Sequence, residues 1–208
     1  HGSGGIPSCE RADRCAQPVD EKSWRTRRGP QPVRGYCADV PFRITCVCLG
    51  NICRSPVAEA VLRQRIALAG LADEVVVDSA GTGGWHVGHD MDPRSRAVLD
   101  VHGYPHAHTA RQFTAAWLGT GAADLLLAMD AANYDDLLAL VGRAGSPVSL
   151  RMLRSFDPEL AHLQAPDPRL DLPDPYYGDA ADFDDMLSMI GKAADGLVGG
   201  LPRMLQER

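Results

Sequence analysis

The sequence predicts an α/β protein with three layers (α/β/α), in which helices cover both faces of a four-stranded parallel sheet. Short apolar runs alternate along the chain with longer segments whose apolar positions recur at helical spacing. The short runs are rich in Val, Ile and Leu and show little polar alternation, which is typical of strands buried on both faces. Strands that alternate with helices form a parallel sheet, because each helix returns the chain to the edge where the next strand begins.

The predicted elements begin at residue 42. The run FRITCVC at 42–48 predicts the first strand, and Ser55-Pro56 opens a helix that ends at Gly70. The remaining predicted elements are a strand at 74–80, a Gly-rich loop at 81–88, a helix at 92–103, a strand at 123–130, a helix at 131–143, a strand within 146–156, a long loop rich in Pro and Asp at 157–179 and a helix at about 180–206.

Residues 1–40 differ in composition from the rest of the chain. They are rich in Gly, Pro and Ser and carry more basic than acidic residues, whereas the chain as a whole has a net charge of −6. They show little periodicity, and the initial HGSGG resembles the remnant of an expression tag. We therefore expect 1–40 to be an N-terminal extension, native or introduced with a tag, that is partly disordered or draped on the domain. Residues 41–208 are expected to form one domain.

Composition excludes several classes of protein. No apolar run approaches the roughly 18 residues of a membrane span. The net charge of −6 provides no basic surface for nucleic acid. Cysteines occur at positions 9, 15, 37, 46, 48 and 53 and nowhere later, which is not the pattern of a secreted disulfide framework. With no signal-peptide pattern, we expect a cytoplasmic protein that uses neither membrane nor nucleic acid as a partner.

The stretch VCLGNICRSP at 47–56 joins the first strand to the first helix. Gly50 and Asn51 tolerate left-handed backbone angles, so the chain can reverse there and turn its N–H groups inward. The following helix directs its positive end at the same point, and Arg54 adds a planar fork that fits two phosphate oxygens. A thiol in this setting is stabilised as the thiolate. The pattern predicts that Cys48 is a nucleophile directed at a phosphate.

The stretch CLGNICRS at 48–55 resembles the phosphate loop of the low-molecular-weight protein tyrosine phosphatases, and the resemblance extends from about residue 42 to 205. The chain is most similar to the actinobacterial branch of that family, which includes mycobacterial enzymes. Further stretches that carry the resemblance are VDSAGT at 77–82, GWHVG at 84–88, HTARQF at 108–113, MD at 129–130, RSFDP at 154–158 and DPYYGD at 174–179.

The resemblance implies a catalytic role for four residues. Cys48 would attack phosphorus and form a phosphocysteine intermediate, while Arg54 and the loop amides hold the phosphate oxygens. Asp174, the first residue of DPYYGD, corresponds to the general acid that protonates the leaving phenolate. Ser55 corresponds to a hydroxyl that stabilises the thiolate as it leaves phosphocysteine. No cofactor and no metal are implied.

The resemblance also implies a substrate slot and a network that supports the loop. Aromatic walls would stack on a phenyl ring, and the depth of the slot would exclude the shorter phosphoserine. Cys53 corresponds to a second thiol that forms a reversible disulfide with the nucleophile, and Asp130 is expected to belong to the scaffold. The substrate-binding residues implied are Leu49, Gly50, Asn51, Ile52, Cys53, Trp85, Tyr176 and Tyr177, and the loop-supporting residues are Asn51, Ser79 and His108.

The expected partners follow from this function. They are proteins or peptides that carry phosphotyrosine, with phosphate as product and inhibitor. We expect a monomer or a weak dimer. The resemblance to mycobacterial relatives leaves open export from the cell without a signal peptide.

Several other functions are compatible with parts of the sequence. Protein-arginine phosphatases of the same family tend to have Thr at the position of Ile52 and to lack the second Tyr of DPYY, so the sequence favours phosphotyrosine. Arsenate reductases of this fold need cysteines further downstream than Cys53. A phosphotyrosine-binding module without activity would have lost Cys48, Arg54 or Asp174. A metal site built from Cys46, Cys48 and Cys53, or from His102, His106 and His108, is disfavoured because Arg54 opposes a cation and the histidines are most simply surface residues.

Overall fold

The computed structural model describes residues 40–119 and 123–207, together with residue 1. The prediction for residues 1–40 therefore lies almost entirely outside the described residues, and the domain division stays a prediction. The described elements are β1 (Phe42–Cys48), α1 (Arg54–Leu68), β2 (Val75–Gly81), α2 (Pro93–Val101), α3 (Ala115–Gly119), β3 (Leu125–Ala128), α4 (Ala131–Ala144), β4 (Ser149–Met152) and α5 (Ala180–Gln206), with 3-10 turns at Leu153–Phe156, Pro168–Leu170 and Pro175–Tyr177.

The four strands form one parallel sheet in the order β2-β1-β3-β4, as the sequence predicts. Alternate residues of β1 enter two separate cores. Ile44 and Cys46 pack with apolar side chains of α1, α2 and α5 on one face, whereas Val47 packs with Leu126 of β3 and Leu137 of α4 on the other. The predicted three-layer α/β arrangement is confirmed.

The strand order positions the site. Because β1 lies between β2 and β3, the connections from β1 and from β3 leave on opposite faces of the sheet. A crevice therefore opens at the carboxyl ends of these two strands, which is the usual place for a ligand in such sheets. Cys48 ends β1 and Asp130 follows β3 at this crevice.

The observed elements differ from the predicted ones mainly at their ends and in short pieces. The helix predicted from Ser55 begins one residue earlier, at Arg54, and the strand predicted at 123–130 is shortened to Leu125–Ala128. α3 was not predicted because it has only five residues and buries none of them. The 3-10 turns lie where the sequence predicts irregular loop, and two of them begin with a Pro after a capping Asp. No helix in the described part of the chain is both long and apolar enough to cross a bilayer.

Candidate active site

The loop between β1 and α1 wraps around the sulfur of Cys48. Cys48 is only 3% exposed, its Sγ accepts a hydrogen bond from the backbone N–H of Asn51 at 3.2 Å, and the hydroxyl of Ser55 lies 3.0 Å away. Asn51 adopts a left-handed backbone with φ of 56°, as the sequence predicts at this reversal. α1 begins at Arg54 with no side-chain cap from Cys53. The uncapped, positive end of a 15-residue helix therefore faces the same loop.

A buried chain of polar side chains stands behind the loop. The amide nitrogen of Asn51 donates to the hydroxyls of Ser55 and Ser79, each at 2.9 Å, and Ser79 donates to the carboxylate of Glu59 at 2.5 Å. Because Asn51 supplies a donor to both hydroxyls, each hydroxyl directs its own hydrogen away from Asn51. The hydrogen of Ser79 goes to Glu59, and that of Ser55 has two acceptors in reach, the sulfur of Cys48 at 3.0 Å and the carbonyl of Ala80 at 3.3 Å.

The orientation of Asn51 is fixed from outside the loop. Its side-chain oxygen accepts from the backbone N–H of Arg111 at 2.8 Å. Its carbonyl lies 2.7 Å from Nε2 of His108, and since a carbonyl only accepts, this ring nitrogen carries the hydrogen. A Cβ at Gly81 would lie 2.7 Å from the carbonyl oxygen of Leu49, so β2 can approach the loop this closely only because position 81 is glycine.

Arg54 connects the loop to two carboxylates. One terminal nitrogen donates to Asp130 at 2.5 Å and to the carbonyl of Leu172 at 3.2 Å, and the other donates to Asp174 at 2.6 Å. Burial acts to lower the pKa of the Arg54 guanidinium, but the charges of Cys48 and Asp174 and the bond to Asp130 raise it overall. Arg54 is therefore a permanent cation beside the sulfur. Its Nε is buried and has no hydrogen-bond partner among the described residues.

Asp174 lies in a more exposed setting than Cys48. Its side chain is 42% exposed, and its second oxygen accepts from the N–H of Tyr176 at 3.1 Å, which caps the 3-10 turn Pro175–Tyr177. One carboxylate oxygen of Asp174 therefore accepts a hydrogen bond from Arg54, and the other accepts one from the backbone of the turn that Asp174 caps.

The predicted residues of the site enclose one cleft of about 270 Å³. Trp85 and Tyr177 are 72% and 96% exposed and form its rim. The predicted residues that line the cleft are Cys48, Leu49, Gly50, Ile52, Cys53, Arg54, Trp85, Asp174, Tyr176 and Tyr177. The predicted residues Asn51, Ser55, Ser79 and His108 stand behind it, in the hydrogen-bonded chain described above. A larger cleft of about 460 Å³ lies along α1 and residues 105–108, but no thiol lines it.

The sequence did not reveal two contributors to this site, or the partner of a third residue. His86 lines the cleft beside Trp85, and its place in GWHVG was the available signal. Glu59 ends the buried chain, and a glutamate among the small apolar residues of a helix could have drawn attention to it. Asp130 was expected to belong to the scaffold, but its direct pairing with Arg54 depends on contact between segments 76 residues apart.

The two other described thiols are Cys46 and Cys53, and both are buried. Burial, together with the charges of Glu59 and Asp78, raises the pKa of Cys46 well above its usual value. Burial and the charge of Asp92 raise the pKa of Cys53 to about 12. Both therefore remain protonated at neutral pH.

The histidines considered for a metal site have separate partners. His102 lies near Asp184, His106 near Asp100, and His108 near the carbonyl of Asn51. Within residues 40–119 and 123–207, no cluster of three or more His, Cys, Asp or Glu side chains has a geometry that could hold a metal ion.

Comparison with protein families gives a direct match. The family described as low molecular weight phosphotyrosine protein phosphatase matches residues 43–207. The chain belongs to this family. The matched residues run from β1 to just beyond α5, and the relatives of the chain include actinobacterial enzymes.

Two bacterial relatives each match two thirds or more of this chain. A low molecular weight protein-tyrosine-phosphatase of Streptomyces coelicolor is 44% identical over 167 residues, which is 80% of this chain and 98% of the relative. The low molecular weight protein-tyrosine phosphatase A of Mycobacterium tuberculosis is 49% identical over 139 residues, which is 67% of this chain and 78% of the relative.

Solved structures agree with the fold of the phosphatase family. A protein tyrosine phosphatase from Entamoeba histolytica superposes with a TM-score of 0.67 at 30% identity and covers 78% of this chain and 97% of its own. The Drosophila arginine phosphatase superposes with a TM-score of 0.68 at 25% identity and covers 76% of this chain and 96% of its own.

Proposed function

We propose that this chain hydrolyses phosphotyrosine in proteins or peptides through a phosphocysteine intermediate. The observation that carries the proposal is the floor of the cleft. There, the sulfur of Cys48 accepts the N–H of Asn51 beside a buried guanidinium whose Nε has no partner among the described residues. A buried cation with an unused donor next to a nucleophilic sulfur fits a phosphoryl group, because its oxygens supply the missing acceptors.

Substrate binding begins with an exchange of partners on Arg54. The phosphate dianion takes the Nε and the terminal nitrogen that now donates to Asp174 at 2.6 Å. A bidentate contact of this kind matches the guanidinium geometry. The first terminal nitrogen stays on Asp130, so Arg54 keeps its orientation during the exchange. Asp174 is released towards the mouth of the cleft, where the leaving oxygen of the substrate lies.

The first chemical step forms an S–P bond and breaks the P–O bond to tyrosine. Cys48 supplies the electron pair, and the tyrosine oxygen leaves with the bond pair and takes a proton from Asp174. Arg54 and the N-terminus of α1 stabilise the charge on the three remaining phosphate oxygens. Asp174 enters this step protonated, because its proton goes to the leaving oxygen.

The second step hydrolyses phosphocysteine. Asp174, now a carboxylate, takes a proton from water as the water oxygen attacks phosphorus, and the S–P pair returns to Cys48. The hydroxyl of Ser55, 3.0 Å from the sulfur, donates to the thiolate that forms. Because Asn51 donates to that hydroxyl, its hydrogen points away from Asn51, and the new thiolate attracts it more strongly than the neutral carbonyl of Ala80 at 3.3 Å. Phosphate is released, and Asp174 can return to Arg54.

Selection of tyrosine follows from the walls of the cleft. Trp85, Tyr176 and Tyr177 rise above the floor and offer apolar faces to a phenyl ring. A phosphoserine side chain is too short to place its phosphate on the floor while the peptide stays at the rim. The same shape gives no particular advantage to phosphoarginine, and Ile52 at the floor adds an apolar contact instead of a donor.

Redox control by Cys53 is part of the same proposal. Peroxide would oxidise the thiolate of Cys48 to a sulfenic acid, and the thiol of Cys53 would then attack that sulfur and release water. Since burial raises the pKa of Cys53 to about 12, Cys48 is the thiol that is oxidised first. Peroxide should inactivate the wild type and a thiol reductant should restore it. Full recovery of Cys53→Ser under the same conditions would refute this role.

The decisive experiment compares phosphotyrosine, phosphoserine and phosphoarginine peptides with wild type and Cys48→Ser. We expect turnover of phosphotyrosine by the wild type alone, and phosphate trapped on Cys48 after rapid acid quench. Activity of Cys48→Ser above a few per cent of wild type would refute covalent catalysis by Cys48. Faster turnover of phosphoarginine than of phosphotyrosine would show that phosphoarginine is the substrate. Cytoplasmic location and a monomeric or weakly dimeric state stay predictions.

A further inference from the structure

Arg94 lies in the first turn of α2, outside the cleft, and contacts the segment that carries the proposed acid. Its two terminal nitrogens donate to the carbonyls of Gly178 at 3.1 Å and Tyr176 at 3.0 Å. The guanidinium also lies over the ring of Phe183, 4.7 Å from the ring centroid. Arg94 therefore binds two carbonyls of the segment 176–178, whose three residues are exposed.

Arg94 is itself fixed by Asp92, which connects it to the phosphate loop. Nε and one terminal nitrogen of Arg94 contact the two carboxylate oxygens of Asp92 at 3.0 and 2.9 Å. The backbone N–H of Asp92 donates to the carbonyl of Ile52 at 2.8 Å. A continuous set of hydrogen bonds thus runs from the phosphate loop through Asp92 and Arg94 to the turn at Pro175–Tyr177.

The position of Asp174 depends on that turn. Asp174 caps it by accepting the N–H of Tyr176, and of the residues in the turn only Pro175 is buried. In the proposed mechanism the phosphate displaces Asp174 from Arg54. At that moment, the contacts of Arg94 with the carbonyls of Tyr176 and Gly178 remain to hold the turn against the phosphate loop.

We propose that Arg94 is a positioning residue that holds Asp174 over the leaving oxygen once substrate occupies Arg54. The proposal rests on the proposed phosphatase function and assigns Arg94 no contact with substrate. Loss of Arg94 therefore weakens protonation of the leaving group and leaves the attack by Cys48 unchanged. Aryl phosphates separate these two effects, because a leaving phenol that is already acidic needs no proton in the transition state.

The test measures kcat/KM for a series of aryl phosphates whose leaving phenols range from strongly to weakly acidic. For Arg94→Met we expect a loss of about 10- to 100-fold with phenyl phosphate and at most about threefold with the most acidic phenol. Arg94→Lys, which keeps the charge and can reach one carbonyl, should recover part of the loss. Arg96→Met is the matched control, because Arg96 lies on the same helix, is exposed and pairs with Asp90 instead of the turn.

A double-mutant comparison separates positioning from a merely structural effect. In an Asp174→Asn background, Arg94→Met should change kcat/KM for phenyl phosphate by less than about twofold, since the group that it positions is gone. An equal loss for acidic and weakly acidic leaving groups, or a further large loss in the double mutant, would overturn the role of Arg94. If the wild type hydrolyses no aryl phosphate, or if Cys48→Ser remains active, the proposed function itself fails, which is a distinguishable result.

Discussion

The phosphate loop and the acid-bearing turn face each other across the cleft but are held in different ways. The loop is supported by Asn51, Ser55 of α1 and Ser79 of β2, which are fully buried and are joined by hydrogen bonds that end on Glu59. In the turn, Asp174 is 42% exposed and Tyr177 is 96% exposed. The turn is held by ion pairs and by contacts to its carbonyls, not by a core.

This difference corresponds to what each region does in the proposed cycle. The loop has to present the same donors to phosphate at every step, and a buried, fully bonded network keeps them in place without reorganisation. Asp174 has to leave Arg54, give up a proton and recover one, so it needs water and room to move. Substitutions in the loop should therefore affect stability as well as rate, whereas substitutions in the turn should affect rate or affinity alone.

The largest contrast is expected in thiol reactivity. At pH 7 a thiol with a pKa of about 12 is only about 10⁻⁵ ionised, so Cys53 should react with iodoacetate at least about 10³ times more slowly than Cys48. Burial likewise keeps Cys46 in the protonated form. Peptide mapping by mass spectrometry should find one labelled site, and phosphate should protect it. If Cys46 or Cys53 is labelled at a rate comparable to that of Cys48, Cys48 is not the most reactive of the three thiols.

The next effect concerns the acid. Asp174→Asn should lower kcat/KM for phosphotyrosine by about 10²–10⁴-fold and remove the fall in rate at high pH, because the amide cannot donate an acidic proton. Thermal unfolding should change little. Asp167→Asn is the matched control, since Asp167 lies in the same loop and pairs with Arg169 outside the cleft. If the pH–rate profile of Asp174→Asn still declines at high pH, Asp174 is not the general acid.

A substitution in the buried chain should affect stability. Ser79→Ala removes one buried hydrogen-bond partner from Glu59 and one from Asn51, so the free energy of unfolding should fall by about 1–3 kcal/mol, together with kcat. Ser188→Ala, on the exposed face of α5, should stay within about 0.5 kcal/mol of wild type. Denaturant unfolding measures both. If Ser79→Ala is as stable as Ser188→Ala, the loop is not held by this chain.

Removal of a rim aromatic should weaken affinity only. Tyr177→Ala should raise KM for a phosphotyrosine peptide by about 2- to 10-fold, the equivalent of an aromatic contact of about 0.5–1.5 kcal/mol. Steady-state kinetics should show kcat within about twofold of wild type, and Tyr177→Phe should behave like wild type. A fall in kcat comparable to that of Asp174→Asn would mean that the ring supports the acid instead of the substrate.

The smallest effect tests the exchange of partners on Arg54. Because Asp174 competes with phosphate for the same nitrogen, Asp174→Asn should bind inorganic phosphate about two- to fivefold more tightly, as expected for a partly exposed ion pair. Competitive inhibition at constant ionic strength measures this change. Weaker binding of phosphate would show that Asp174 does not occupy its site.

The sequence predicted the strands and helices in which the spacing of apolar residues shows which face is buried. β1, α1 and α5 were placed within one or two residues, because an apolar run or stripe records directly which face is buried. α3 could not be found in this way, because it buries no residue. The reversal between β1 and α1 was also predictable, since Gly50 and Asn51 lie within it and Asn51 adopts the left-handed backbone.

The sequence by itself determined the chemistry of the loop, because the nucleophile, the turn residues and the arginine are local and their types allow few other uses. It did not determine which of the acids at 157, 167, 171, 174 and 179 would face the cleft without the resemblance of DPYYGD to a known motif. Only the tertiary structure decided that Asp130 and Asp174 meet on Arg54, that His86 lines the cleft and that Arg94 holds the turn. These contacts join segments up to 120 residues apart, and their geometry depends on the strand order and on the packing of α2 and α5, which no local pattern specifies.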